Sequence, residues 1–288
     1  MRSVVLTLVL ASPALCYYVP GVARPQFAAH RPIDASRVVA PALMLPPRTA
    51  TALALNSGLA ALGTAKGQKI LTPMGLAHAW ALGVMLWSSL GWRGWSACVV
   101  YLICGSRVTK QGKAKKEALG IAEGRGGMRG PENVWGSAAT AALCALATLK
   151  WPAQAALLRI GFVSSLATKL SDTCQSEIGK AYGKTTYLIT TFKLVPPGTE
   201  GAVSAEGTAA GVVGAFVLSL YALAVGLIGL PGLVPCLLAT VIGTTAESLI
   251  GASAQDNFKW LTNELVNFIM TVIGAAAGVS LAALFGAF

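Results

Sequence analysis

Apolar residues run along most of this chain, interrupted by short polar stretches. The apolar segments fall near residues 50–65, 70–89, 91–106, 133–149, 153–170, 207–230, 231–249 and 265–288. Several are shorter than the roughly 20 residues that a perpendicular helical span needs. The pattern therefore predicts an all-α, polytopic integral membrane protein with six to eight transmembrane helices. Gly and Ala recur along the segments, a composition that lets membrane helices approach closely. Trp87, Trp92, Trp95 and Trp151 stand at expected helix ends, where interfacial aromatics collect. The chain before the first segment has another character. Residues 1–16 carry an arginine, a short apolar run and small residues, as a signal peptide does, and Arg24, Arg31 and Arg37 follow against a single acid, Asp34. Together they read as a bipartite targeting leader, residues 1–47, of the kind that reaches a plastid through the secretory route, with a plain signal peptide as the alternative. Residues 48–288 are then one transmembrane helical domain.

Composition narrows the function. The chain is 55% hydrophobic and 11% charged, against about 25% charged for a typical soluble domain. The formal net charge of +11 is concentrated in the leader and in residues 107–132, where seven Lys and Arg residues stand against three Glu. Beside apolar spans such charge points to anionic lipid or a substrate phosphate, and no nucleic-acid partner is expected. Loops separated by two spans share a side, so 107–132, 171–206 and 250–264 are expected on one face. The basic excess of the first puts that face on the cytoplasm-equivalent side, the stroma in a plastid. With only His30 and His78, a His-based zinc site or triad is disfavoured. The six cysteines form no CxxC pair and lie mostly in apolar runs.

The densest chemistry lies between Ala167 and Thr208. Asp172 and Glu177 are candidate magnesium ligands of the kind phosphoryl transfer needs. On an unbroken helix they point about 140° apart, which disfavours one ion between them and calls for a partner such as Glu247. Lys169 has helix spacing to Asp172 and is an alternative partner for it. An echo at an offset of 72 residues pairs Ala167, Thr168, Thr173, Ser176, Ile178 and Gly179 with Ala239, Thr240, Thr245, Ser248, Ile250 and Gly251, as a parallel internal repeat would leave. The run Gly179–Thr185, GKAYGKT, imitates a Walker A loop but has one residue too few between its glycines and no strand before it. Lys180, Lys184 and Lys193 can still attract phosphate as point charges. Pro196–Thr208 supplies Thr199, Gly201 and Ser204, with a helix expected to begin near Thr208, and Gly130-Pro131-Glu132 signals another helix start. Two helix N-termini, with Arg125 and Arg129, would surround an anion. Near the C-terminus Asp256, Trp260, Asn263 and Asn267 would form one stripe on a single helix.

Four stretches, GIAEGRGGMRGPENVWGSAATAA (120–142), SDTCQSEIG (171–179), TTYLITTFKLVPPGTEGAVSAEGT (185–208) and ESLIGASAQ with NELVNF (247–255 and 263–268), resemble the plastid phytyl-phosphate kinases of vitamin E synthesis. These belong to the integral-membrane group called domain of unknown function 92. The resemblance covers about residues 50–288; where that family often has Trp after the Asp-Thr pair, Cys174 stands here. It implies transfer of a phosphate from a nucleoside triphosphate, CTP or another, to phytyl monophosphate, giving phytyl diphosphate for tocopherol and phylloquinone. The expected setting is a multi-pass plastid membrane protein, in the envelope, with its polar loops in the stroma. Roles in catalysis then fall on Asp172, Glu177 and Lys193, and magnesium on Asp172, Glu177 and Glu247. Phosphate or substrate contacts fall on Arg125, Arg129, Lys169, Lys184, Thr199, Gly201, Ser204, Asn263 and Asn267. A transporter of an anionic or prenyl-phosphate substrate is the competing class, and a lipid-binding scaffold a third. An enzyme should gather its acids and cations at one face, a transporter around a midplane cavity lined from both halves.

Overall fold

The computed structural model describes residues 47–288, so the expected leader lies outside the described residues except for Pro47, the first residue of α1. Helix α1 (Pro47–Ala65) is followed by α2 (Pro73–Thr109). Thr72 starts α2 by accepting a hydrogen bond from the Gly75 amide at 3.0 Å, with Pro73 at the first helical position. Straight, these 37 residues would run about 55 Å, far beyond a bilayer core. They do not run straight. Gly91 has φ 67° and ψ −161°, a backbone state that a side chain would strain, and the chain folds back there. The rings of Trp87 and Trp95 consequently meet at 5.5 Å. Arg129 touches the start of α2 and its second arm: its carbonyl accepts from the Thr72 amide at 3.0 Å, and its guanidinium donates to the Tyr101 hydroxyl at 2.7 Å. Each arm is thus about 27 Å long, close to the thickness of a hydrocarbon core. The boundary expected between segments 70–89 and 91–106 is this turn.

The short α3 (Lys113–Ala118) leads to α4 (Pro131–Lys150), α5 (Ala155–Tyr182), α6 (Ala205–Ala224), α7 (Leu233–Ser253) and α8 (Asn263–Phe285). Residues 205–224, 230–253 and 263–285 are long and apolar enough to cross a membrane on their own. Helix α5 is the axis: residues 160–174 are buried without a break, and α2, α4, α6, α7 and α8 all pack on it. Small residues permit this approach. A Cβ added to Gly274 would lie 2.4 Å from Thr168 Oγ1, and one on Gly278 2.1 Å from Ser164 Oγ. Buried hydroxyls also bond across helices, Thr140 with Thr271 at 2.8 Å.

The all-α membrane architecture is as expected; some boundaries differ. Helix α5 continues through the stretch expected as loop from residue 171 and stops at Gly183, because neither Gly nor Pro interrupts it before Gly179. Helix α6 begins at Ala205, not near Thr208, because the Ser204 hydroxyl accepts from the Gly207 amide and caps it there. The stripe expected for Asp256, Trp260, Asn263 and Asn267 on one helix does not form. Residues 255–257 make a separate short turn, and α8 starts only at Asn263, capped by Thr262. Between α5 and α6 a small antiparallel pair, β1 (Tyr187–Leu188) and β2 (Ala202–Val203), closes a loop.

Candidate functional site at one end of the bundle

A cavity of about 390 Å³ opens where the C-terminal ends of α2, α5 and α7 meet the N-terminal ends of α4, α6 and α8, with residues of the 107–132 and 183–204 connections completing its wall. Helix α5 supplies the chemistry. Three residues apart on one face, Lys169 and Asp172 pair at 2.6 Å (Nζ to Oδ2), and the same ammonium donates to Asn267 Oδ1 on α8 at 2.8 Å. All three are buried. Glu247, one helix away on α7, also lines the cavity and accepts from the Ser248 hydroxyl at 3.2 Å. Five residues beyond Asp172, Glu177 also borders the cavity, but its carboxylate pairs with the fully buried Lys116 of α3. That ammonium also donates to the Thr109 carbonyl at 2.8 Å, and neighbouring Lys115 donates to the Ala181 carbonyl at 2.7 Å. The basic loop is thereby fastened to the end of α5.

On the opposite wall Arg125 pairs with Glu132 and donates to Asn133 Oδ1 at 2.8 Å. Asn133 caps α4 by accepting from the Gly130 amide at 2.9 Å and reaches Glu264 of α8 at 3.3 Å. Arg129 has no carboxylate partner among the described residues; its contacts are the hydroxyl and ring of Tyr101.

Of the residues singled out from sequence, Arg125, Arg129, Lys169, Asp172, Glu177, Thr199, Gly201, Ser204, Glu247, Asn263 and Asn267 all line this cavity. Lys184 and Lys193 do not. Both are exposed, and Lys193 sits in the tight turn where its carbonyl accepts from the Leu188 amide. Three others have structural duties. Ser204 caps α6, and Thr199 donates to the Pro196 carbonyl at 2.8 Å. Gly201 (φ +71°) lies so close to α7 that a Cβ would sit 2.4 Å from the Ser248 carbonyl. Sequence reasoning missed Lys116 and Glu200. The first is one of three lysines in KAKK, and nothing in that run marks which will be buried.

The cavity is not predominantly cationic. Six carboxylates (Glu123, Asp172, Glu177, Glu200, Glu247 and Glu264) face four cations (Arg125, Arg129, Lys169 and Lys180). Among the described residues no three His, Cys, Asp or Glu side chains form a metal-holding group, so Asp172, Glu177 and Glu247 are not a closed triad. Magnesium is commonly held by one or two carboxylates with phosphate oxygens and water completing the shell. Asp172, although paired with Lys169, and Glu247 stand on the cavity wall where that mode can form, whereas Glu177 is more deeply enclosed with Lys116. Three helix N-termini add their partial positive charge to the same space.

A bundle of helices long and apolar enough to cross a membrane, with a charged cavity toward one end, is an integral membrane protein that gathers its polar groups in one place. The chain belongs to the family described as Integral membrane protein DUF92, whose model matches residues 56–275. It is 53% identical to an uncharacterized membrane protein of Synechocystis over 234 residues, 81% of this chain and 91% of that one. It is 44% identical to the chloroplastic protein VTE6 of Arabidopsis thaliana over 238 residues, 81% and 72% of the two chains. An uncharacterized membrane protein of Methanocaldococcus jannaschii is 33% identical over 218 residues, 74% and 87% of the two. No solved structure matches the fold.

Proposed function

We propose that the chain is a phosphotransferase of plastid membranes that converts phytyl monophosphate to phytyl diphosphate, with CTP or another nucleoside triphosphate as donor, on the route to tocopherol and phylloquinone. The observation that carries this reading is the placement of the charged groups. Acids and cations gather in one cavity toward one end of the bundle, where the connections carrying Arg125, Arg129 and Glu200 and the starts of α4, α6 and α8 meet Lys169 and Asp172 from within α5, as an enzyme working on a water-soluble nucleotide needs. The chloroplastic relative supports the compartment, and the motifs quoted above support the substrate.

In this mechanism an oxygen of the phytyl phosphate attacks the γ-phosphorus in line. The bond from that phosphorus to the β–γ bridging oxygen breaks, and the nucleoside diphosphate leaves. The acceptor oxygen is already an anion, so no general base is required. Lys169, held by Asp172 and Asn267, is fixed to neutralise charge on the moving phosphoryl group. Arg129, with no acidic partner of its own among the described residues, binds the acceptor phosphate, and Arg125 shares that role when it leaves Glu132. Asp172 and Glu247 would hold magnesium, which would supply charge neutralisation for the donor's phosphates. The carboxylates Glu123, Asp172, Glu247 and Glu264 on the cavity wall support it: without a cation they would repel a triphosphate. The test is purified protein with phytyl phosphate, magnesium and each nucleoside triphosphate in turn, with lipid products resolved by chromatography. Phytyl diphosphate from at least one donor is the expected outcome. Its absence with every donor, from folded protein, overturns the proposal.

A further inference from the structure

A second cavity, about 190 Å³ and almost wholly apolar, lies among α1, both arms of α2 and the start of α4. Leu71, Leu76, Leu82 and Leu86 line it with Trp95 and Ala138. It adjoins the polar cavity: Arg129, Asn133 and Ser137 belong to the walls of both. Arg129 is thus a cation at the junction of a charged chamber and a greasy one, its guanidinium bonded there only to Tyr101 among the described residues. The far end of the groove is chemically quiet. Asn56, its one buried amide, donates to the Ala52 carbonyl at 2.8 Å and accepts from Trp95 Nε1 at 3.1 Å. From Thr72 at the junction to Gly83 at that end is about 17 Å along the helix. That length suits several isoprene units better than one. Leu59 on α1 is 44% exposed, so the groove can admit a hydrophobic chain from the side.

We propose that this groove holds the isoprenoid tail of the phosphate ester whose head group enters the polar cavity, with Arg129 gripping the phosphate at the junction and the hydrogen-bonded Asn56–Trp95 pair at the far end limiting the accepted tail length. The charge at one end and the apolar walls beyond it match an amphiphile with a single terminal phosphate. The inference rests on the phosphotransferase reading for its substrate class, but its test reads binding without nucleotide. Protein in nanodiscs is irradiated with a geranylgeranyl monophosphate carrying a diazirine at the tail end, and labelled peptides are mapped. Label is expected on residues 52–60 and 79–95, displaced by phytyl phosphate and not by inorganic phosphate. Ala79→Phe, which fills the groove, should weaken binding of the long-tailed ester about tenfold or more and leave dimethylallyl phosphate within about twofold. Label confined to other helices overturns the proposal. So does equal weakening of both esters, or equal labelling by a diazirine phospholipid that phytyl phosphate does not displace, since membrane lipid is then the occupant. If Ala79→Phe fails to fold, Ala60→Phe fills the same groove from α1, and the wild-type labelling stands alone. Tail labelling without any diphosphate product would overturn the kinase reading and leave the groove in place; product without groove labelling would do the reverse.

Discussion

Two lysine–carboxylate pairs lie along α5, one near its middle and one near its C-terminal end, and they differ in what they join. Lys169 and Asp172 are three residues apart on one helix, at the wall of the polar cavity, with side chains 9% and 11% exposed. Lys116 and Glu177 are 61 residues apart, and at 1% and 2% exposure the pair is sealed. The first needs little tertiary structure to form, because helix spacing alone presents the groups to each other; Asn267 then fixes it. The second forms only when α3 docks on α5, so it reports and secures the position of the basic loop. Similar groups are therefore assigned opposite duties, ligand chemistry at Asp172 and anchorage at Glu177. Mutations should separate them.

The largest effect is expected where the sealed pair is broken. Lys116→Met leaves a buried carboxylate without its partner and should cost about 3–5 kcal/mol of stability, read as a lowered unfolding midpoint in detergent. The double variant Lys116→Met/Glu177→Met should recover most of that loss and most of the activity. A stable but inactive double variant would move Glu177 into the chemistry and erase the contrast. Next comes Asp172→Asn, which keeps the shape and removes the charge. It should lower turnover about 10²- to 10³-fold and, because Lys169 keeps Asn267 and an amide oxygen but loses its counter-charge, should also lower the unfolding midpoint, by less than Lys116→Met does; a stability loss at unchanged specific activity would make this pair an anchor only. Asn267→Ala removes one hydrogen bond to a charged amine, and a loss of about tenfold in turnover is expected, measured under saturating substrate. Smallest is Lys193→Ala, on the exposed turn, with activity within about twofold of wild type.

Periodicity and composition carried the fold a long way. The eight apolar segments correspond to α1, the two arms of α2, and α4 to α8. The divergence of Asp172 and Glu177 also follows from helix geometry. The end of α5 was harder to read, because polar residues from Ser171 onward look like loop while the helix in fact carries them inward against α8 and α3. Lys116 was illegible. Its neighbours in KAKK have the same chemistry, and only the docking of a six-residue helix decides which one is enclosed. Arg125 and Arg129 shared a motif, yet the structure sets them apart: one is exposed and paired with Glu132, the other stands beside Tyr101 at the mouth of the groove. Their difference arises from contacts with α2 and α4 that no local pattern records.

The central claim, that the Lys169–Asp172 wall serves phosphoryl transfer to a membrane-borne phosphate, is tested most directly by following label. Protein in nanodiscs is given magnesium, phytyl phosphate and a donor labelled in its γ-phosphate, and the lipid extract is counted for wild type and Asp172→Asn. Label recovered as phytyl diphosphate with wild type, and reduced at least about 10²-fold with Asp172→Asn, is the predicted result. Label found only as inorganic phosphate, or equal transfer by the two proteins, would contradict it.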